Sequence, residues 1–143
     1  MPEVDRSMTD KGLKGQHVVV TGAAQGIGLA IADAFLDAGA SVTIVGRNPE
    51  RLGVAAASLR ADHAGAMVHE ALADLTDGEQ IGRAFAVAVA TLGPVNVLVN
   101  NAGACASVPF AKMDRARIGA MLAGHALPTF LCCNAALGAI QAA

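Results

Sequence analysis

Short apolar runs rich in β-branched residues alternate along this chain with longer segments that have a helical period. The clearest runs are residues 18–20, 42–45 and 95–99, and a weaker run lies near 66–70. The runs are continuously apolar instead of alternating with polar residues, which is typical of strands that are covered on both faces. We therefore predict four buried strands.

Between the runs, three segments repeat apolar residues at the helical interval, and each predicts an amphipathic helix with one buried stripe. The stripes are Ile27, Ala30, Ile31, Ala34, Phe35 and Ala38 in the first segment, Leu52, Ala55, Ala56 and Leu59 in the second, and Ile81, Ala84, Phe85, Ala88, Val89 and Leu92 in the third. Asn48 and Pro49 predict the start of the second helix, because Asn caps helices well and Pro suits the first helical position. The sequence Thr76-Asp77-Gly78-Glu79 predicts a capping box at the start of the third helix.

The order of these elements is βαβαβαβ followed by a long helix. Such an order requires a parallel sheet with right-handed crossovers. We predict an α/β fold with a Rossmann-like parallel sheet, strand order 3-2-1-4 and flanking helices. The 143 residues suffice for one domain. We expect a loose polar leader over residues 1–12 and an incomplete nucleotide-binding domain over 13–143.

Composition narrows the classes of function. The formal net charge is −2 and no block of like charges occurs, so there is no electrostatic reason to expect a nucleic-acid partner. Cys105 stands alone, and Cys132 and Cys133 are adjacent, which suits neither a disulfide framework nor a metal site. The polar N-terminus does not resemble a secretory signal. We expect a cytoplasmic protein without a metal.

The segment after Arg117 contains no charged residue and is long enough to be a transmembrane candidate. Against a membrane span, no basic flank follows it, and polar or helix-breaking residues are scattered along it, namely His125, Pro128, Asn134 and Gln141. We expect a buried helix and no membrane contact, with the membrane span as the alternative. Proline inside this helix predicts a kink near His125.

A glycine-rich turn, TGAAQGIG at residues 21–28, connects the first predicted strand to the first predicted helix. Backbone amides and the positive end of the helix converge at such a turn and can hold a phosphate without a charged side chain. Glycine permits the sharp turn and the close approach of a pyrophosphate. The spacing G-x-x-x-G-x-G departs from the general fingerprint, so a turn without a ligand is the alternative for this motif by itself.

The fourth predicted strand ends in VLVNNAGA at residues 97–104. Strands one and four are neighbours in the predicted order, so the loops that follow them open into one crevice. Together the two motifs resemble the short-chain dehydrogenase/reductase family. The resemblance covers nearly everything from Leu13 onward, including LKGQHVVVTG, ALADLTD and GPVNVLVNNAG.

This resemblance implies a dinucleotide site. The residues that it assigns to the pyrophosphate are Gly22, Ala23, Ala24, Gln25, Gly26, Ile27 and Gly28. It assigns Asp74 and Leu75 to the adenine ring, and Asn100, Ala102 and Gly103 to the nicotinamide ribose. Thr21 and Asn101 look like structural ties between strands. Judged without the family, Asp74 could equally be a solvated residue before a helix cap.

The end of the second strand bears on the choice of cofactor. In dinucleotide folds an acid about 20 positions after the glycine loop binds the ribose 2′-hydroxyl, whereas arginine accommodates a 2′-phosphate. Gly46 stands where that acid would be, followed by Arg47 and Asn48, with Arg51 one helical turn further on. We predict NADP in preference to NAD. Against this, related proteins that prefer NADP often have a basic residue where this chain has Gln25.

The family's hydride-transfer chemistry uses a tyrosine, a lysine four residues later, a serine and an asparagine. This chain contains no tyrosine, and by the family's spacing the serine and Tyr-x-x-x-Lys would fall beyond Ala143. His125 occupies the position of the asparagine and is the candidate catalytic residue, because histidine can relay a proton. The alternative is a substitution tolerated where nothing catalytic depends on it.

Three functions follow as alternatives. The first is part of an NAD(P)-dependent oxidoreductase, inactive by itself, whose complete form acts on an alcohol or carbonyl substrate that the sequence does not identify. The second is a non-catalytic dinucleotide-binding module or regulatory partner. The third is a protein anchored in a membrane by its last segment. We also predict self-association, because residues 95–99 would form an open sheet edge and the last helix is apolar.

Overall fold

The computed structural model describes residues 12–103 and 108–140. The elements are β1 His17–Thr21, α1 Gly26–Asp37, β2 Ser41–Gly46, α2 Pro49–Asp62, β3 Val68–Leu72, α3 Gly78–Leu92, β4 Val97–Val99, a 3-10 turn Phe110–Lys112, and α4 Arg115–Ile140. Residues 1–11 of the predicted leader, Cys105 and Gln141 lie outside the described residues.

The four strands form one parallel sheet in the order β3-β2-β1-β4. The predicted Rossmann-like fold is therefore confirmed. Successive residues of the inner strands point to opposite faces of the sheet. Val18 and Ile44 pack against α1 and α2, whereas Val19 and Val45 pack against α3 and α4. Both faces are covered, as the continuous apolar runs predicted.

Two strands have other bounds than the sequence predicted. β3 begins two residues later than the predicted 66–70. β4 comprises three residues instead of the predicted 95–99, although Val95 is fully buried. The cause is a side chain in the ladder, because the amide of His17 donates to Oδ1 of Asn96 at 2.7 Å. Regular pairing between β1 and β4 therefore starts at Val18 and Val97.

The buried stripe of α2 contains all the predicted residues, and that of α3 contains four of them, with Val89 and Leu92 partly buried, but the stripe of α1 differs from the prediction. In α1 the buried residues are Gly28, Ala32 and Leu36, whereas Ile27 is 75 % exposed. Ile31 and Phe35 flank this stripe and are partly buried. The predicted stripe was wrong because Gly28 fits tightly against the glycine loop and turns its own side of the helix inward.

The start of α2 is confirmed, because Oδ1 of Asn48 accepts a hydrogen bond from the Arg51 amide at 2.9 Å. The predicted cap of α3 at Thr76 was wrong. Asp77 caps this helix, and its Oδ1 accepts from the amides of Glu79 and Gln80 at 2.9 and 3.2 Å. The hydroxyl of Thr76 is engaged elsewhere, in a 2.7 Å hydrogen bond to Asp74.

The expectation that the last helix is buried was also wrong for most of its surface. In α4 the buried residues are Pro128, Cys132 and Ala136, a stripe of one residue per turn that packs on α3 and the sheet. The helix is long and apolar enough to cross a membrane, and 17 % of its most apolar window is buried. Length and composition are by themselves weak evidence for a span. The predicted kink at Pro128 stays a prediction.

Candidate functional site

A cleft of about 480 Å³ lies at the carboxyl ends of the strands. Loops that follow all four strands line it, together with α4. The lining residues are Gly22, Ala24, Gln25, Gly26, Ile27, Gly28, Val45, Gly46, Arg47, Asn48, Arg51, Ala73, Asp74, Leu75, Thr76, Asn101, Ala102, Gly103, Gly124 and Pro128. The loops after β1 and β4 meet where the strand order reverses, which is where open α/β sheets bind ligands.

Thr21 and Asn101 join these two loops directly. The Thr21 hydroxyl accepts from the amides of Asn101 and Ala102, each at 3.0 Å, and donates to the Val99 carbonyl at 3.3 Å. The Asn101 carboxamide donates in turn to the carbonyls of Thr21 and Gly22 at 3.1 and 3.3 Å. The two residues predicted as ties between the strands are therefore confirmed in that role.

The three glycines of the turn serve different purposes. Gly22 has a φ of +66°, and a Cβ on it would lie 2.8 Å from Cα of Ala102. A Cβ on Gly28 would lie 2.5 Å from both Nδ2 of Asn101 and the Gly22 carbonyl oxygen. Gly26 has a φ of +58° and nothing within 4 Å of a Cβ position. Gly22 and Gly28 thus allow close packing of the turn against the loop after β4, whereas Gly26 leaves the turn open beside the cleft.

The free amides of the turn belong to its second half. The amides of Gly22 and Ala23 both donate to the Val45 carbonyl, at 2.8 and 3.3 Å. Ala23 is also fully buried in the core and does not line the cleft, so its assignment to a ligand stays a prediction. The Leu29 amide makes the first helical bond, to Gln25, so the preceding amides have no partner within the helix, namely those of Gly26, Ile27 and Gly28.

The start of α1 is electrostatically uncompensated. Gln25 is the N-cap residue but its side chain makes no capping hydrogen bond, and the first turn contains no acidic residue. The positive end of the helix dipole therefore faces the cleft together with the free amides. Such an end binds anions, and phosphate groups in particular.

Asp74 and Leu75 line the cleft as predicted. Oδ1 of Asp74 accepts from the Thr76 amide at 2.9 Å and from its hydroxyl at 2.7 Å. These hydrogen bonds, with a smaller contribution from the charge of Arg47, lower the pKa of the Asp74 carboxyl below its ordinary value. Asp74 is both exposed and part of the turn before α3, so the two interpretations of this residue are compatible.

Arg47, Asn48 and Arg51 form the wall of the cleft beyond β2. Nη1 of Arg51 donates to Oε1 of Gln25 at 3.0 Å. Within residues 12–103 and 108–140, no carboxylate forms an ion pair with Arg47 or Arg51. The oxygen of Asn48 caps α2, so this side chain has a structural task besides any contact with a ligand.

Asn100 is not among the residues that line the cleft, so its predicted place beside the nicotinamide ribose stays a prediction. Its amide group donates instead to Sγ of Cys133 on α4, at 3.4 Å. Ala102 and Gly103 do line the cleft. The ring of His125 abuts Gly103, since a Cβ there would lie 2.5 Å from its Nδ1. The candidate catalytic histidine does not itself line the cleft but lies beside Gly103, which does.

Several lining residues were missed from the sequence. Val45 and Gly46 are at the end of the predicted strand 42–45, and the rule that ligands bind at those ends could have identified them. Ala73 follows β3 only with the bounds that the structure gives this strand. Gly124 and Pro128 come from α4, where the sequence indicated only His125, at the family's asparagine position. Among the described residues, no group of three or more His, Cys, Asp or Glu side chains is placed to hold a metal ion.

Comparison with known proteins agrees with this geometry. The family model described as short chain dehydrogenase matches residues 16–143. Gluconate 5-dehydrogenase of Gluconobacter oxydans (strain 621H) is 35 % identical over 103 residues, which are 72 % of this chain and 40 % of that protein.

Two solved structures share the fold. L-sorbose reductase of Gluconobacter frateurii, complexed with NADPH and L-sorbose, has a TM-score of 0.83 at 28 % identity, covering 93 % of this chain and 50 % of that one. The NADPH-bound short chain oxidoreductase of Pseudomonas aeruginosa PAO1, which contains an atypical catalytic center, has a TM-score of 0.87 at 31 % identity, covering 92 % and 51 %. The chain thus spans about half or less of these relatives, and it belongs to the short chain dehydrogenase family.

Proposed function

We propose that the cleft binds the nicotinamide cofactor of an oxidoreductase that transfers a hydride between NAD(P) and an alcohol or carbonyl. The observation that carries this proposal is the reciprocal bonding of Thr21 and Asn101, which makes one site of the glycine loop and the loop after β4. The open side of Gly26 and the free amides beside it suit the size and charge of a pyrophosphate.

Each wall of the cleft has a proposed task. The amides at the start of α1 would hold the pyrophosphate, with backbone contacts from Ala24, Gln25, Gly26, Ile27 and Gly28. Asp74 and Leu75 would border the adenine ring, and Ala102 and Gly103 the nicotinamide ribose. The bound nicotinamide would supply the hydride chemistry, while the chain's own residues bind and orient it. The substrate of this chemistry is not part of the proposal.

We further propose that the site prefers NADP to NAD. Gly46 leaves no carboxylate at the end of β2, where an acid would bind a free ribose 2′-hydroxyl and repel a 2′-phosphate. Arg47 and Arg51 line the same wall and have no anionic partner among the described residues. Two solved relatives bind NADPH, which is compatible with this preference.

By itself, the chain is proposed to bind the cofactor without turning over. No tyrosine is available to supply a phenolic proton. His125 is the remaining candidate for a hydrogen bond or proton relay at the nicotinamide end, because its ring lies against Gly103. A non-catalytic dinucleotide-binding module or regulatory partner is the alternative function.

A cytoplasmic location without a membrane contact completes the proposal. The alternative of a membrane anchor is favoured by the length, apolar composition and exposure of α4. We propose that this helix contacts protein, because its buried stripe already packs on α3 and the sheet. Self-association through α4 and the open edge of β4 would cover the exposed apolar surface of this helix.

Titration with NADPH and NADH, followed by nicotinamide fluorescence, tests the proposal. We expect both to bind, with NADPH about tenfold tighter or more. Gly26→Val should abolish binding of both, because a side chain there enters the cleft. Gly65→Val is the matched control, since Gly65 also has a positive φ, +79°, and open space around it but lies outside the cleft.

Failure of the unmodified chain to bind either nucleotide would contradict the proposed site. Equal loss of binding in the two glycine variants would show that backbone strain, and not the cleft, is responsible. Rapid oxidation of NADPH by the chain with simple ketones would contradict the prediction of binding without turnover.

A further inference from the structure

The side chain of Gln25 spans the mouth of the cleft. This residue is the N-cap of α1, with extended backbone angles of −168° and 169°, and its side chain makes no bond to its own helix. Its Oε1 accepts instead from Nη1 of Arg51 at 3.0 Å, across 26 positions of sequence. The hydrogen bond therefore joins the glycine loop to the first turn of α2.

Arg51 is restrained by hydrogen bonds at its backbone and at its guanidinium. Its backbone amide donates to Oδ1 of Asn48 at 2.9 Å, and its guanidinium donates to Gln25. A long exposed arginine otherwise loses considerable rotamer entropy when it binds a ligand. Because the guanidinium is already restrained where it lines the cleft, part of that loss is incurred before a ligand arrives.

The chemical nature of the acceptor matters as much as its position. The amide oxygen of glutamine is neutral, so it restrains the guanidinium without cancelling its charge. Arginine has five N–H donors in a fixed fork, and one bond to Gln25 leaves others for a phosphate. A glutamate at this position would form an ion pair with Arg51 and place a negative charge at the mouth.

We propose that Gln25 is a positioning residue that holds Arg51 toward a phosphate on the ribose 2′-oxygen of the bound cofactor. This inference rests on the proposed function and names the part of the site that discriminates between cofactors. Gln25 stands where related proteins that prefer NADP often have a basic residue. Although Gln25 is uncharged, it does not argue against a preference for NADP. It acts through Arg51, and Arg47 supplies the second positive charge on the same wall.

The test uses two matched ligand pairs, NADPH with NADH and adenosine 2′,5′-bisphosphate with 5′-AMP, titrated at constant ionic strength. Gln25→Ala should weaken binding of the two 2′-phosphorylated ligands about threefold to tenfold and change the other two less than twofold. Gln25→Glu should weaken the 2′-phosphorylated ligands more strongly than Gln25→Ala. Addition of Gln25→Ala to Arg51→Ala should have no further effect, because the acceptor has lost its donor.

Arg83→Ala is the control for loss of one positive charge, since Arg83 is an exposed residue of α3 outside the cleft. It should leave all four affinities unchanged. Equal weakening of both members of each pair by Gln25→Ala would overturn the inference, as would additive effects in the double variant. If the unmodified chain binds none of the four ligands, the proposed function itself fails, and this inference fails with it.

Discussion

Thr21 and Asn101 hold each other's backbone across β1 and β4. The Asn101 amide donates to the Thr21 hydroxyl at 3.0 Å, and the Asn101 carboxamide donates to the Thr21 carbonyl at 3.1 Å. Thr21 is 1 % exposed, so these bonds are shielded from water on its side. The distance between the two walls of the cleft is therefore set by side chains and not only by strand pairing.

Removal of the Thr21 hydroxyl should destabilise the fold. Thr21→Val keeps the shape of the side chain but leaves the amides of Asn101 and Ala102 without their acceptor. Since buried polar groups without a partner are unfavourable, we expect a loss of about 1–3 kcal/mol in the free energy of unfolding. Urea denaturation followed by circular dichroism measures this change.

Thr91→Val is the matched control for Thr21→Val. The Thr91 hydroxyl donates to the Val87 carbonyl at 2.8 Å on the exposed surface of α3, where water can replace it. Its replacement should change stability by less than about 0.5 kcal/mol. Thr21→Ser should recover most of the loss. Similar effects of the two valine variants would show that the buried hydroxyl has no special role.

Gly28 should not tolerate a methyl group. A Cβ there would lie 2.5 Å from the Gly22 carbonyl oxygen, which belongs to the backbone and cannot move aside easily. Gly28→Ala should therefore push α1 away from the loop and destabilise the protein by about 1–3 kcal/mol. Thermal unfolding monitored by circular dichroism is the measurement.

Gly82 provides the opposite expectation for the same substitution. It lies on the exposed side of α3, and nothing is within 4 Å of a Cβ position. Gly82→Ala should stabilise the protein by about 0.5–1 kcal/mol, because alanine favours a helix interior over glycine. If both alanine variants shift stability in the same direction, the close packing of Gly28 is not what selects glycine there.

These glycines show what the sequence can and cannot predict. Their spacing after a buried strand predicts a tight turn before a helix, and the structure has one. The assignment of Gly22 and Gly28 to ligand approach stays a prediction, and the sequence did not indicate that a Cβ on them would also meet Asn101 and Ala102, more than 70 positions later. Contacts of that range arise from tertiary packing and have no local signal.

The same distinction separates the predicted sheet from the predicted last helix. The parallel sheet follows from the alternation of elements and the handedness of parallel crossovers, and its strand order from the pattern of Rossmann-like sheets. The stripe of α4 could not be read from its sequence, because apolar residues occur all round this helix. Phe130 is 74 % exposed while Cys132 is fully buried, and only the position of α3 decides which side is covered.

Acid should destabilise the fold through His17. Its Nδ1 lies 2.8 Å from the Gly93 carbonyl, which can only accept, so Nε2 carries no proton and accepts from Thr43 at 2.8 Å. Burial lowers the pKa of His17 from its ordinary value of 6.5. The unfolded chain therefore binds a proton first, and the stability present above about pH 6.5 is lost as the pH falls below that value.

The unfolding free energy measured between about pH 8 and pH 5 tests this expectation. His17→Gln should flatten the decrease at acid pH, although it lowers stability at neutral pH through lost hydrogen bonds. His69 is a weaker contributor of the same sign, because burial also lowers its pKa and it is less buried than His17. An unchanged pH dependence in His17→Gln would exclude His17 as the main acid-sensitive group.

The exposed side of α4 should make the chain associate with itself. Leu122 and Phe130 are 60 % and 74 % exposed on this helix, and several large apolar side chains exposed on one element usually mark a contact. Light scattering should therefore give a mass above that of one chain. Leu122→Glu with Phe130→Glu should lower that mass, since two charges in a contact would be buried without partners.

Val54→Glu is the control for this substitution, because Val54 is 73 % exposed on α2 and outside α4. It should leave the mass unchanged. A monomer at all concentrations would contradict self-association. The apolar side of α4 would then be free to contact a membrane. Flotation with phosphatidylcholine vesicles separates that case, because a membrane-anchored chain would rise with the vesicles, and the glutamate variants would not.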